Sequence, residues 1–158
     1  TALDIEPDVV ILATGSEVGI AIETKEKLHK HGLAVRVVSM PCFAIFDKQD
    51  QAYKNRVLGN DNILKVAIEA AVAQGWHKYI GKDGIFIGMS DFGASGKAED
   101  LFDHFGITSD KACEKIVTEL KSRRRALIQK YRDKDDMLDE LEKYKEQIRK
   151  EVEEDDEA

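Results

Sequence analysis

The sequence predicts an α/β fold: a three-layer α/β/α domain with a mainly parallel sheet, followed by a C-terminal helical tail. Short apolar runs of strand length alternate along the chain with longer segments of helical periodicity. Connections within the alternating part are short, and the last part of the chain is dominated by charge. Alternation of this kind is typical of a sheet that carries helices on both faces.

The first three elements form a β-α-β unit. Residues 8–13 read DVVILA, a continuous apolar run that suits a strand buried on both faces of a parallel sheet. Residues 14–17, TGSE, break this run, and a helix through His29 follows. Gly32 is a good residue to end that helix, and residues 33–40 form the second strand. A short crossover of this type makes the two strands parallel.

The rest of the body continues the alternation. Asp47 is the predicted N-cap of the next helix. The later elements are a helix at 47–57, a turn at 59–62, a strand at 63–69, a short helix around Trp76 within 70–80, a strand at 85–89, a helix at 95–105 and a helix from 108 past Leu120.

The composition changes near Ser122, which divides the chain into a body of residues 1–121 and a charged helical extension of residues 122–158. The extension predicts one or two helices, because Asp133 to Asp136 can interrupt a helix. Lys134 and Lys145 interrupt its apolar stripe, which favours packing against a neighbouring surface over a long free coiled coil. The stripe consists of Leu127, Tyr131, Leu138, Leu141, Ile148 and Val152.

Composition restricts the classes of partner. The 158 residues are 42% hydrophobic and carry a net charge of −7, which argues against a nucleic-acid partner.

The sequence also bears on the compartment. No apolar run reaches the ~18 residues of a membrane span, and residues 1–7 lack the pattern of a signal peptide. Cys42 and Cys113 are isolated from each other and from metal-ligand spacing, which fits a reducing cytoplasm. Because the chain begins with Thr1, we expect a fragment or a processed product.

One loop is a candidate anion-binding site. Thr14, Gly15 and Ser16 follow the first strand and open a helix, at the edge of the sheet where α/β proteins bind ligands. The alternative is a capping box, in which Thr14 and Glu17 satisfy the helix amides and Glu17 repels a phosphate. On that interpretation Thr14→Ala costs about 1 kcal/mol.

No other pattern predicts a chemical site. The four histidines are scattered, the glycines form neither a dinucleotide nor a phosphate-binding motif, and the sequence places no pair of carboxylates on one face of a cleft. Trp76 is interpreted as a core or interface anchor. We therefore predict no catalytic, cofactor-binding or metal-binding residue in this chain.

Five segments in order resemble the C-terminal, third domain of transketolases, over about residues 8–120. They are DVVILATGSEV at 8–18, VRVVSMP at 35–41, FDKQDQAYKNRVL at 46–58, EAAVAQGWHKYIG at 69–81 and FGASGKAEDLFDHFGIT at 92–108. Gly59, Ala71 and Gly96-Lys97 depart from the family's usual residues, all in or beside turns. Residues 122–158 match nothing in the family, and a natural extension, a graft and a designed element all stay open.

The resemblance implies a sheet of about five strands that is mixed, because one edge strand in the family usually runs antiparallel. It also implies dimers, in which thiamine diphosphate and a divalent metal ion bind between the first two domains. The motif that binds them, GDG followed by an Asn, is absent, since Asp83-Gly84 lacks the preceding glycine.

Three functions follow as hypotheses. In the first, the chain is a structural and oligomerisation module without catalysis of its own, most simply as a homodimer, with the catalytic domains of a transketolase as further partners. In the second, it is one piece of a split transketolase that transfers two-carbon ketol units between sugar phosphates, with thiamine diphosphate bound by partner chains. In the third, the Thr14 loop makes it a regulatory ligand-binding module.

Overall fold

The first β-α-β unit forms as its apolar pattern predicts. The computed structural model of the chain describes residues 6–89 and 96–156. Strand β1 (Val9–Ala13) is fully buried, and helix α1 (Glu17–Lys30) leads to strand β2 (Val35–Ser39). Gly32 takes a left-handed backbone with φ of 77°, and its amide donates to the carbonyl of His29 at 2.9 Å. The predicted helix stop at Gly32 is thus confirmed.

Two short helices follow β2 where the sequence predicted one. Helix α2 (Phe43–Asp47) and helix α3 (Gln51–Leu58) are separate elements. The N-cap of α3 is Asp50, whose carboxylate accepts a hydrogen bond from the Tyr53 amide at 2.7 Å. This bond satisfies one of the amides that a helix start leaves without a partner.

The prediction of Asp47 as an N-cap is therefore wrong. Asp47 is the last residue of α2, and its carboxylate accepts a hydrogen bond from the Tyr79 hydroxyl at 3.0 Å. It also pairs with Lys78 at 2.7 Å. The carboxylate is bound to residues more than thirty positions away, so it does not cap a helix locally.

The remaining elements alternate as predicted. They are β3 (Leu64–Glu69), α4 (His77–Ile80), β4 (Ile85–Gly88), α5 (Ala98–His104) and α6 (Ser109–Asp156). The helix around the tryptophan is only one turn long. The part of the predicted helix at 95–105 that precedes residue 96 lies outside the described residues.

The four strands of the described residues form one parallel sheet in the order β2-β1-β3-β4. Val9 is level with Val35 of β2 on one side and Leu64 of β3 on the other, and Val66 is level with Ile85 of β4. The α/β class with a parallel sheet is confirmed. The antiparallel edge strand that the resemblance implied is not among the strands in residues 6–89 and 96–156.

Helices cover both faces of this sheet. On one face, α2, α3 and α4 contribute to a core with alternate residues of the strands, namely Val10, Leu12, Met40, Phe46, Val57, Ile63, Ala67, Trp76, Tyr79 and Ile80. On the other, α1 packs on β1, β2 and β3, with Ala21, Thr24 and Leu28 fully buried. The buried Thr24 hydroxyl donates to the Ile20 carbonyl at 2.7 Å, which satisfies it.

The chain divides into two compact units, residues 1–118 and residues 119–158. The described part of the second unit, 119–156, is helical throughout, as the later part of α6. Of the one or two helices expected for the extension, a single helix forms, because residues 133–136 continue it. Several of its apolar side chains are exposed, by 44% to 61%: Leu127, Ile128, Tyr131, Met137, Leu138 and Leu141.

Candidate functional site at the carboxyl edge of the sheet

Open parallel sheets of this strand order have a crevice at the carboxyl edge, here between β1 and β3. The chain leaves β1 toward β2 on one side, and leaves β3 toward β4 on the other. The two connections therefore diverge, and the carboxyl ends of β1 and β3 border the gap between them. Open parallel sheets bind ligands at such a point, where the strand order reverses.

The Thr14 loop lies at this crevice as the sequence predicted. Thr14 follows the last residue of β1, and its carbonyl accepts a hydrogen bond from the Glu17 amide at 3.2 Å. Gly15 has a left-handed backbone with φ of 55°, so the turn into α1 favours glycine here. Thr14 is half-buried, whereas Gly15 and Ser16 are exposed.

The predicted capping box between Thr14 and Glu17 is wrong. The N-cap of α1 is Ser16, and its side chain makes no capping hydrogen bond. Its backbone is already helical, with φ of −66° and ψ of −29°, whereas a capping side chain belongs to an extended backbone. The Ser16 hydroxyl instead donates to Oε1 of Glu17 at 3.1 Å.

Glu17 is the buried polar residue of this loop. Its side chain lies in the first turn of α1, and the residue is only 5% exposed. A carboxylate is favourable there because the amides at a helix N-terminus carry partial positive charge. The chain thus provides its own negative charge at this helix start.

Glu69 is a functional candidate that sequence reasoning missed. It ends β3, next to β1, and its pKa is raised, first by burial and second by the negative charge of Glu17. Sequence reasoning placed no pair of carboxylates on one face of a cleft, and the effect of Glu17 on Glu69 shows that these two lie within electrostatic reach of each other. The signal was available only through the strand order, because Glu17 and Glu69 each follow a buried run but lie far apart in sequence.

The carboxylates restrict what the crevice can bind. A negative charge on Glu17, the neighbour of Thr14, Gly15 and Ser16, opposes the binding of a phosphate or sulfate there. The anion site at these three residues stays a prediction.

Other candidates of the sequence analysis are separated in the fold. His29, His31, His77 and His104 are all exposed. The described residues contain no group of three or more His, Cys, Asp or Glu side chains that could hold a metal ion.

Neither cysteine is assigned a role at this crevice. Both are free thiols; Cys42 is exposed and Cys113 is buried. Burial raises the pKa of the Cys113 thiol, which keeps it protonated and unreactive at neutral pH.

Trp76 is a core residue. It is 2% exposed, and the ring of Phe43 meets it edge-on with 4.9 Å between ring centroids. Such a contact favours a packing role, as the sequence indicated.

A second concavity lies at the opposite, amino edge of the sheet. This cleft of about 410 Å³ is lined by Glu6, Pro7, Arg36, Asn55, Arg56, Gly59, Asn60, Asp61 and Ile63. The Arg36 guanidinium donates to the carbonyls of Arg56 and Val57 at 2.8 and 3.1 Å, near the end of α3. The arginine therefore serves to satisfy a helix end.

Comparison with known proteins identifies similar sequences. The family described as "Transketolase-like TK C-terminal domain" matches residues 2–108. A transketolase of Buchnera aphidicola subsp. Baizongia pistaciae is 47% identical over 116 residues, which is 73% of this chain and 17% of that protein. The chain thus spans about one sixth of the length of this curated relative.

Comparison with solved structures also finds transketolases. A transketolase from Leishmania mexicana superposes with a TM-score of 0.63 and 41% identity, over 69% of this chain and 16% of that one. A structure described as "Split gene transketolase, inactive beta4 tetramer" superposes with a TM-score of 0.58 at 21% identity, over 74% of this chain and 40% of that one, which shows a shared fold alone.

Proposed function

The chain belongs to the transketolase C-terminal domain family, and from this membership we propose that it acts as a structural and oligomerisation module without catalysis of its own. The observation that carries the proposal is the small share of a full-length transketolase to which this chain corresponds. The family match ends at residue 108, and the chain corresponds to 17% of a full-length relative. The domain proper comprises residues 1–121, and residues 122–158 form an extension to it.

The residue chemistry of the body supports a non-catalytic role. The sequence lacks the phosphate- and metal-binding motif that the family keeps in another domain, and the described residues offer no cluster of metal ligands. Thiamine diphosphate would supply the carbanion chemistry of a transketolase, and residues 6–89 and 96–156 offer no cluster of metal ligands to hold it. The cofactor site therefore belongs to other domains.

The partner of the module is a second copy, in a two-fold homodimer, together with the catalytic domains of a transketolase. Two-fold symmetry is the commonest arrangement among soluble oligomers, and the net charge of −7 argues against nucleic acid as the partner. Within the described residues, no helix is long and apolar enough to cross a membrane. The cytoplasm is the compartment that fits the two free thiols.

A second candidate is one piece of a split transketolase, which transfers two-carbon ketol units between sugar phosphates. The observation that favours it is the structural neighbour described as a split-gene transketolase, whose single chain type is described as inactive. On this alternative, partner polypeptides bind thiamine diphosphate and complete the enzyme.

One experiment tests both. The pure chain is incubated with thiamine diphosphate, Mg²⁺, a ketose phosphate donor and an aldose phosphate acceptor, with a full-length transketolase as the positive control. We expect no turnover and no cofactor-dependent quenching of protein fluorescence. Turnover by the chain alone contradicts the proposal. Turnover that appears only after addition of a transketolase lacking its third domain, itself inactive, establishes the split-enzyme alternative.

A further inference from the structure

The second unit presents an apolar stripe that is solvent-exposed. Leu127, Tyr131, Leu138 and Leu141 follow one another at spacings of four, seven and three residues, which places them on one face of the helix. These four side chains are 47% to 59% exposed. A helix of this charge density is not stable in water with such a stripe uncovered.

The charges around the stripe are separated into two sections of equal length. Residues 123–130 carry four positive charges and no negative one, and residues 135–142 carry five negative charges and no positive one. We call these the basic section and the acidic section. Each is complementary to the other but lies on the same helix.

This separation does not suit a helix that stands alone. Solvated single helices are stabilised by opposite charges four residues apart, and like charges at that spacing are destabilising. Here Lys130 and Lys134 are like-charged neighbours, as are Asp135 and Asp139, and Asp136 and Glu140. The pattern therefore favours a partner that brings the opposite charges alongside.

We propose that residues 123–142 pair with the same segment of a second copy, antiparallel, about a two-fold axis between Arg132 and Asp133. In this register Leu127 lies opposite Leu138 of the second copy, and Ile128 opposite Met137. Tyr131 lies opposite Lys134 of the second copy, where an ammonium group and an aromatic face attract each other.

The charge pattern favours a second copy as the partner and an antiparallel arrangement of the two helices. The antiparallel register sets each basic section beside the acidic section of the second copy, over all eight residues of both. A parallel pair in register would place Lys134 on Lys134 and basic section on basic section. Because the complementary sections have equal length on one segment, a second copy fits by two-fold symmetry.

The inference deepens the proposed oligomerisation role and rests on it, since it names the surface through which two copies associate.

The first test is disulfide trapping in the full chain with Cys42→Ser. A chain with Leu127→Cys and a chain with Leu138→Cys are oxidised separately and as a mixture, and linked peptides are identified by mass spectrometry. We expect disulfide-linked dimers from the mixture, joining positions 127 and 138. Homodimeric links at position 138 from the single variant, or no link in the mixture, overturn the antiparallel pairing.

The second test is charge reversal, followed by sedimentation equilibrium. One chain carries the basic section reversed (Arg123→Glu, Arg124→Glu, Arg125→Glu, Lys130→Glu), and the other the acidic section reversed (Asp135→Lys, Asp136→Lys, Glu140→Lys, Glu142→Lys). Each alone should dimerise at least about tenfold more weakly than the natural chain, and their mixture should recover a heterodimer. A chain with four reversals on exposed positions of the body (Asp61→Lys, Asp100→Lys, Asp103→Lys, Glu114→Lys) has the same net charge as the chain with the acidic section reversed, controls for that change of charge, and should dimerise as the natural chain does.

The outcomes separate the inference from the proposed function. A dimer that persists in both reversed chains assigns association to the body, which overturns the tail pairing and leaves the oligomerisation role in place. A natural chain that stays monomeric at the highest soluble concentration contradicts both. A monomer whose melting temperature falls on reversal of either section shows the stripe bound within one chain, which also overturns the pairing. Circular dichroism of every variant establishes that the body remains folded.

Discussion

The hydroxyl of Tyr79 donates a hydrogen bond to the carboxylate of Asp47 at 3.0 Å, and this bond joins the end of α2 to α4. The same carboxylate pairs with Lys78, whose hydrogen bond is the main reason that the pKa of Asp47 is lowered. Burial, and then the bond to Asp47, raises the pKa of Tyr79 to about 12. These three side chains hold two helices of one sheet face together.

Loss of the Tyr79 hydroxyl should destabilise the body. Tyr79→Phe removes one hydrogen bond from a buried side chain, at a cost of about 1 kcal/mol in the free energy of unfolding. The pKa of Tyr79 is higher in the folded than in the unfolded chain, so its contribution to stability is complete below about pH 10 and is lost as the pH rises toward 12. Urea denaturation at pH 7 and at pH 11 measures both effects. Tyr53→Phe, at an exposed ring, is the control. A Tyr79→Phe chain with natural stability at pH 7 would contradict the bond.

The Glu69 carboxyl should respond to Glu17. Because burial and the charge of Glu17 raise the pKa of Glu69, the folded chain holds this proton to a higher pH than the unfolded chain does. Stability from this group is therefore present below the ordinary glutamate pKa and is lost as the pH rises through the folded-state value. Glu69→Gln removes this loss of stability at rising pH. The melting temperature of the variant should therefore rise relative to that of the natural chain between pH 4 and pH 7.

The effect of Glu17 on the pKa of Glu69 can be measured directly. In Glu17→Gln, the pKa of Glu69 should fall toward its ordinary value, as read by NMR titration of the side-chain carboxyl. Glu23→Gln, on the exposed side of α1, should leave it unchanged. An unaltered Glu69 titration in Glu17→Gln would show that the two carboxylates do not interact.

Capping differs between α1 and α3. Asp50→Ala removes the observed cap of α3 and should cost about 1 kcal/mol. Thr14→Ala removes no capping bond and should cost less than about 0.5 kcal/mol, the usual range away from such features. Guanidinium denaturation of both variants provides the comparison. Equal losses would restore the capping role first expected of Thr14.

Gly59 should tolerate substitution less well than Gly81. Both end a helix with nearly identical backbones, φ 74° and 75° with ψ near 180°, a region that is essentially restricted to glycine. Alanine at either position should cost about 1–3 kcal/mol. At Gly59 an added Cβ would also lie 2.4 Å from Cδ1 of Ile63, whereas at Gly81 it meets open space.

Ile63 provides the rescue that distinguishes the two costs. Ile63→Val removes Cδ1, so Gly59→Ala should be less destabilising in an Ile63→Val background than in the natural chain. Differential scanning calorimetry of the two single variants and the double variant completes the cycle. Additive effects would show that the side chain moves aside without strain.

The order of the elements could be predicted because it depends on local patterns. Apolar runs of strand length mark β1 and β3, and Gly32 marks a helix end through its own backbone freedom. The split between α2 and α3 could not be predicted. Asp47 and Asp50 are equally good caps in isolation, and only the contact with Tyr79 assigns one of them elsewhere.

The candidate site was predictable only in part. The Thr14 loop follows from a strand and a helix that are adjacent in sequence, so its place at the carboxyl edge could be inferred. Glu69 joins it because β3 lies beside β1, a fact of strand order that no local pattern contains. In the tail, the sequence left one or two helices open at residues 133–136, because the weak helix propensity of Asp does not by itself decide whether a long helix ends there.

The position of β1 has a consequence for folding during synthesis. Of the four strands that the structure describes, β1 is translated first, yet it lies inside the sheet with a parallel partner on each side, at residues 35–39 and 64–69. Parallel partners always lie across a crossover, so β1 cannot pair with its immediate neighbours in sequence. One edge of the segment VVILA, which is fully buried once folded, must therefore remain unpaired until β3 is translated about fifty residues later, which takes several seconds. A nascent chain stalled in that interval exposes an aggregation-prone strand, and a chaperone that binds short apolar segments would meet it there.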